Sequence, residues 1–165
     1  MTGNIEPQVR RVVTGHDGDK AVLWIDEQAS NHRFPNSVAA ATQLWSSVGT
    51  PADFLDDEDG GKRQLGTAPP EAGTRLTRLE LAPSDFVPPL HRSDTLDYTV
   101  IVSGNVTLYL DDGVETVLGA GDVIVQRGTN HAWANHGPGN AVMVGVLIDG
   151  APKREGSLHG GQKAT

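Results

Sequence analysis

HRSDTLDYTVIVSG at residues 91–104 and GDVIVQRGTNHAWAN at residues 121–135 are the two stretches that decide the fold. Each holds a short Val/Ile run next to glycine, which is typical of a β-strand that ends in a turn. Between them, Asp112-Gly113 separates two apolar runs and predicts a two-residue hairpin turn, because both central positions of a type I′ turn need positive φ. Strand signals recur from residue 74 onward and predict strands at 74–81, 95–103, 106–111, 114–118, 123–126, 131–136 and 141–148. Such spacing indicates a sandwich or a barrel.

The polar residues of the two stretches share faces. Residues two apart in a strand project to the same side, so His91, Ser93 and Asp97 project together. The opposite face carries Leu96, Tyr98, Val100 and Val102. His131 and Trp133 likewise share a face on the later strand. If the two strands meet, two imidazoles and one carboxylate would form a metal site with open positions for water or substrate.

The two stretches resemble the two cupin motifs. The first motif has two histidines, a Glu and a Gly at fixed spacing, and the six-residue gap before its Gly is kept from Asp97 to Gly104. The second motif runs from a Gly-Asp turn to a Gly, a His and an Asn, matched here by Gly128, His131 and Asn135. The resemblance implies an all-β fold, a cupin double-stranded β-helix (jelly-roll) barrel, here with an N-terminal strand extension.

The resemblance also implies a metal site. By position, the cupin metal ligands are His91, Asp97 and His131, and the implied cofactor is a divalent ion such as Fe, Mn, Ni or Zn. The chain departs from the motifs in three places: Ser93 replaces the second histidine, Asp97 replaces the glutamate, and Gln126 replaces the usual proline. Asp is one methylene shorter than Glu, and a serine hydroxyl is a weak ligand for most divalent metals, so these departures bear directly on metal retention.

Composition divides the chain into four segments. Residues 1–50 are predicted to be an N-terminal strand extension, in which 9–25 form a hairpin and 38–45 form a strand or a short helix. Residues 51–73 are an acidic, Gly/Pro-rich loop, and a loop of this length favours a solvated mobile segment over a lid. Residues 74–150 form the barrel, and 151–165 are expected to be a flexible tail.

Charge and cysteine content exclude several classes of partner. The formal net charge of −8 opposes binding to nucleic acid or to anionic membranes. The longest apolar stretch, Ala141 to Ile148, is much shorter than the ~20 residues that cross a bilayer. With no cysteine and no recognisable secretion signal, the sequence predicts a soluble cytoplasmic protein.

These features predict a metal-dependent enzyme that acts on a small carbonyl or carboxylate compound, by lyase, decarboxylase, isomerase or oxygenase chemistry. Ser93, Arg127 and Trp133 are the candidate substrate-binding residues, Arg127 because it lies beside the Gly128 turn, where a barrel mouth is expected. The alternatives are a metal-free barrel that only binds a small ligand, and a metal-free enzyme with a histidine as acid or base. We also expect a homodimer, with the N-terminal hairpin as an edge element.

Overall fold

A computed structural model describes residues 5–151, so the predicted tail lies, apart from residue 151, outside the described residues. Within that range the chain forms eleven strands and a single 3-10 turn, and nothing in it is a helix long and apolar enough to span a membrane. The elements are β1 (Arg10–Asp17), β2 (Lys20–Gln28), β3 (His32–Asn36), β4 (Ala39–Ser47), β5 (Thr74–Leu81), β6 (Thr95–Ser103), β7 (Asn105–Tyr109), the 3-10 turn (Asp111–Gly113), β8 (Glu115–Gly119), β9 (Val123–Arg127), β10 (Ala132–Ala134) and β11 (Ala141–Asp149).

The strands form three antiparallel sheets. The largest has the order β3-β4-β5-β11-β6-β9, a smaller one has the order β10-β7-β8, and β1 pairs with β2 as a separate hairpin. Apolar side chains from the large and the small sheet pack into one core, which includes Leu81, Ile101, Val106 and Met143. This arrangement confirms the all-β jelly-roll architecture.

Burial alternates along β6 from Thr95 to Val102, and most of the inward side chains are polar. Thr95, Asp97 and Thr99 are buried on the inner face, while Tyr98 and Val100 are exposed on the outer face. Ile101, on the same face, joins the apolar core, whereas the three buried polar side chains need hydrogen-bond partners. The inner face of β6 therefore contributes polar groups, as well as apolar packing, to the interior of the barrel.

The hairpin turns explain how neighbouring strands fold back. Asp112 and Gly113 both have positive φ, 57° and 74°, as the predicted turn between β7 and β8 requires. In the N-terminal part, the predicted hairpin is β1–β2, and the ambiguous segment after residue 38 is a strand, β4, rather than a helix. β3 was not predicted; it pairs only with β4 at the edge of the large sheet and contains Pro35, a residue that edge strands tolerate.

The acidic loop between β4 and β5 is tied to the sheets. Gly60 and Arg63 accept hydrogen bonds through their carbonyl oxygens from the Gln43 amide, at 3.1 and 2.8 Å. Asp59 accepts two hydrogen bonds from Arg11, at 2.5 and 2.7 Å, and Arg11 is almost completely buried. The acidic character that made the loop look solvated thus includes a carboxylate that pairs with a buried guanidinium.

Candidate active site

A cavity of about 420 Å³ opens on the inner face of the large sheet. One part of its wall is apolar and includes Ala41, Leu79, Met143 and Leu147. Gly145 also lines the cavity. A Cβ at this position would lie only 3.0 Å from the Thr99 hydroxyl oxygen, so the absence of a side chain leaves space there. Polar side chains form much of the rest of the wall; they include Arg33, Arg75, Thr77, Ser93, His91, Asp97, Thr99, Gln126 and His131. A mainly apolar cavity with a few convergent polar groups is the usual form of a small-molecule site.

His91 and His131 meet as the sequence predicted. Their backbones form a bridge in which each N–H donates to the other residue's carbonyl oxygen at 2.9 Å. The two ring centroids are 4.5 Å apart, with the ring planes tilted by 53°. His91 is exposed at the cavity mouth and His131 is buried behind it.

The tautomer of His131 follows from its hydrogen bonds. Its Nδ1 lies 2.9 Å from the carbonyl oxygen of Thr129, which can only accept, so Nδ1 carries the proton. Its Nε2 then has a free lone pair, which accepts a hydrogen bond from the Gln126 amide nitrogen at 3.2 Å. Burial lowers the pKa of His131 to about 4; the Thr129 hydrogen bond opposes this shift and the nearby charge of His91 adds to it. The imidazole is therefore neutral near pH 7.

Asp97 reaches His131 only through Gln126. The same amide nitrogen of Gln126 donates to Asp97 Oδ2 at 3.0 Å. Burial raises the pKa of Asp97 above its ordinary value, although hydrogen bonds from Thr95 and Gln126 counteract that effect. Two buried oxygens, Oδ1 of Asp97 and Oε1 of Gln126, have no hydrogen-bond partner among residues 5–151. The cluster thus has unused acceptor capacity next to a neutral imidazole.

This donor set does not fit direct metal ligation in the arrangement observed. A metal bound to both His131 and Asp97 would need their donor atoms within about 4 Å of each other, since each bond is ~2.1 Å long. The Gln126 amide nitrogen donates to both of those atoms, and an N–H donor is not a metal ligand. In the described part of the chain, no three His, Cys, Asp or Glu side chains are arranged to hold a metal ion. Ligation by His91, Asp97 and His131 stays a prediction.

Two of the three predicted substrate-binding residues line the cavity, and the third does not. Ser93 is half-buried in the wall, with its hydroxyl 3.0 Å from that of Thr95. Trp133 lines the wall beside His131, with ring centroids 6.0 Å apart in an edge-on arrangement. Arg127 is exposed and lies outside the set of described residues that line the cavity, because inward-facing Gln126 precedes it in β9 and neighbours in a strand face opposite ways. Substrate binding by Arg127 stays a prediction, which the cavity wall does not support.

Sequence reasoning missed several polar residues of the wall, among them Gln126, Arg33 and Arg75. Gln126 was noted only as a replacement for the motif proline, although it shares parity with Ile124, which packs against the core. Arg33 lies on the unpredicted strand β3. Arg75 shares parity with Leu79 and was available from alternation once the inward face of β5 was known.

The fold and the cavity define a cupin barrel, and the comparison with protein families agrees: the Cupin domain family model matches residues 77–147. The cupin-domain-containing oxidoreductase virC of Hypocrea virens is 32% identical over 158 residues, covering 88% of this chain and 80% of that protein. The oryzines biosynthesis cluster protein J of Aspergillus oryzae is 44% identical over 138 residues, covering 78% and 75%. The chain belongs to the cupin family.

A further relative is the cupin-domain-containing oxidoreductase srdD of Neurospora crassa. It is 33% identical over 150 residues, covering 86% of this chain and 76% of that protein. The similarity to all three relatives extends well beyond the matched family segment, so it includes strands of the N-terminal part as well as the barrel.

Proposed function

We propose that this cupin is an enzyme that transfers a proton at a carbon next to a carbonyl group of a small organic molecule bound in the cavity. The strongest support is the buried imidazole of His131, whose Nδ1 proton is donated to the Thr129 carbonyl, so that Nε2 is unprotonated and can act as a base. Two of the relatives carry the name oxidoreductase and another is named as a biosynthesis cluster protein, which favours an enzyme over a pure binding module.

The residues take distinct roles in this reaction. As the substrate enters, its carbonyl oxygen takes the place of His131 Nε2 as acceptor of the Gln126 N–H, which frees Nε2 to accept the α-proton. The C–H electron pair forms the enolate, and its oxygen is stabilised by the Gln126 amide. Asp97 keeps that amide oriented through the 3.0 Å hydrogen bond. Reprotonation by His131 completes an isomerase-type reaction without any oxidant, and a decarboxylase or lyase reaction would use the same enolate.

Deuterium exchange provides the test. The protein is incubated in D₂O with small ketones and oxo acids, 4-oxo-4-phenylbutanoate among them, and loss of the α-proton signal is followed by NMR. We expect His131→Gln to lower the enzymatic exchange rate by about 100-fold or more, since general bases contribute on the order of 10²–10⁴. Arg127→Gln, on the outer surface, is the control and should exchange at the wild-type rate. Exchange that survives in His131→Gln contradicts the proposal, and ligand binding without exchange favours a non-catalytic binding protein.

A metal-dependent enzyme is the second candidate, because Asp97 Oδ1 and Gln126 Oε1 are buried oxygens without partners, which a cation could satisfy. This version requires the Gln126 amide to leave its position between Asp97 and His131. Mass spectrometry of protein purified without a His-tag measures bound Fe, Mn, Ni and Zn. Stoichiometric metal that disappears in both His91→Ala and His131→Ala supports this candidate. Wild-type protein that takes up none after reconstitution excludes it.

A further inference from the structure

Arg75 is a cation in the cavity wall. It lies on β5, faces the cavity and is only 4% exposed. In the large sheet it pairs with Leu147 of β11, which in turn pairs with Asp97 of β6. Arg75 and Asp97 therefore belong to one row across the sheet, two strand spacings or roughly 10 Å apart at the backbone. The guanidinium and the His131–Gln126–Asp97 cluster thus occupy different parts of one cavity.

The hydrogen bonds of Arg75 leave one edge of its guanidinium unused. Nη1 donates to the carbonyl oxygens of Gly66 and Thr67, the second at 2.9 Å, which fixes the orientation of the group from the acidic loop. Nε is buried and has no hydrogen-bond partner within residues 5–151. Nε and Nη2 form the side of a guanidinium that binds a carboxylate through two parallel hydrogen bonds.

A second guanidinium lines the same cavity. Arg33 lines the cavity from β3. The pKa of Arg75 is lowered to about 10, first by burial and second by the positive charge of Arg33. Arg75 is therefore still charged at neutral pH. The ion pairs found within residues 5–151 involve other basic residues and neither of these two arginines. Arg33 is exposed to solvent, but Arg75 is deeply buried, and a buried cation beside a second positive charge is unfavourable without a counter-charge, because burial removes its hydration.

We propose that Arg33 and Arg75 form an anion subsite that holds the carboxylate of the substrate, with the Nε–Nη2 edge of Arg75 as the bidentate donor. This inference rests on the proposed function and adds the substrate class: a small carboxylic acid with an apolar body. The apolar wall, including Leu79 and Leu147, accommodates that body. The reacting carbonyl group then lies several bonds away from the carboxylate, near His131.

Calorimetry with a matched pair of probes tests the subsite. The probes are 4-oxo-4-phenylbutanoate and its neutral amide, which differ in charge but hardly in size. We expect the wild type to bind the carboxylate at least about 10-fold more tightly than the amide, as charge-assisted bidentate pairs are the strong ones. Arg75→Met should reduce this preference to about twofold or less. Arg75→Lys should retain only part of it, because the point charge of lysine cannot replace the two parallel donors of the guanidinium. Arg33→Gln should weaken it severalfold.

Arg127→Gln removes the same charge from the outer surface and should leave the preference unchanged. Circular dichroism checks folding; should Arg75→Met not fold, Arg75→Lys and Arg33→Gln decide. The inference is overturned if the wild type binds both probes equally, if it binds neither at millimolar concentration, or if the arginine variants keep the full preference. Failure of the proposed function has another signature: the carboxylate preference persists while no α-proton exchange occurs in the wild type. If the wild type shows α-proton exchange but no preference for the carboxylate, only the anion subsite is refuted.

Discussion

Acidification should destabilise the fold through His131. This imidazole is only 5% exposed, and burial lowers its pKa from 6.5 to about 4. The unfolded chain therefore binds a proton in the range where the folded chain does not. The stability that neutral His131 contributes is fully present above pH 6.5 and is lost as the pH falls toward 4. With these two pKa values, the free energy of unfolding should drop by about 2 to 3 kcal/mol between pH 7.5 and 4.5.

Asp97 works in the opposite direction. Burial raises its pKa, so the folded chain takes up this proton more readily than the unfolded chain, and stability increases as the pH falls through that raised pKa. The net loss in the wild type is therefore smaller than the His131 contribution alone. Comparing the wild type with His131→Gln, which cannot titrate, separates the two effects.

Urea unfolding at pH 7.5 and 4.5, on protein dialysed against EDTA, provides the measurement. The pH-dependent loss of stability should be about 2 to 3 kcal/mol larger in the wild type than in His131→Gln. His16→Gln, a change at an exposed residue of β1, is the control and should keep the wild-type pH dependence. The reasoning is refuted if the wild type and His131→Gln lose the same stability within about 0.5 kcal/mol, the range expected of ordinary surface changes.

Three further predictions concern stability and assembly. Asn135→Ala removes hydrogen bonds to the carbonyls of Leu81 and Gly139 and one from the Gly137 N–H, each 2.8 Å long, and should cost about 2 to 3 kcal/mol in urea unfolding, because a buried side chain loses three partners; a loss below about 1 kcal/mol contradicts this. Asp59→Asn should cost about 2 kcal/mol, less than for a buried pair broken outright, because Glu27 still accepts a hydrogen bond from the Arg11 guanidinium; an unchanged melting temperature argues against it. The homodimer stays a prediction: light scattering at micromolar concentration should give twice the 17.5 kDa chain mass, and a monomer mass counts against it.

Local sequence signals predicted most of the strands. The bounds of β5 and β6 follow from alternation and flanking glycines and agree with the structure residue for residue. Asp112-Gly113 specified its turn because few residue pairs adopt positive φ twice in succession. β3 was missed because Phe34 and Pro35 are both exposed, so its sequence shows no alternation of apolar and polar residues. The strand is held only by its pairing with β4.

The sequence predicted on which face each side chain of the candidate site lies, but not which side chains contact each other. Parity placed His91, Asp97 and His131 on one face; all three line the cavity, and a backbone bridge joins the two histidines. Parity says nothing about register between strands, however. Asp97 pairs with Gln126 across β6 and β9, so the glutamine amide lies between the carboxylate and the imidazole. That pairing depends on the register between β9 and β6, which cannot be derived from the motif spacing alone.

The cost of this interior is an argument for a ligand. Arg75, Asp97 and Gln126 all place buried polar atoms without partners at the cavity. Apolar residues of similar volume would avoid that desolvation, and replacing buried charges in this way is often neutral or stabilising in proteins. Meanwhile the outer face of β6 exposes Tyr98 and Val100, which could have served as core residues on the inner face. A polar molecule bound in the cavity would pair with these atoms and offset the lost packing energy. The spacing between the guanidinium and the imidazole then sets where the two ends of that molecule lie.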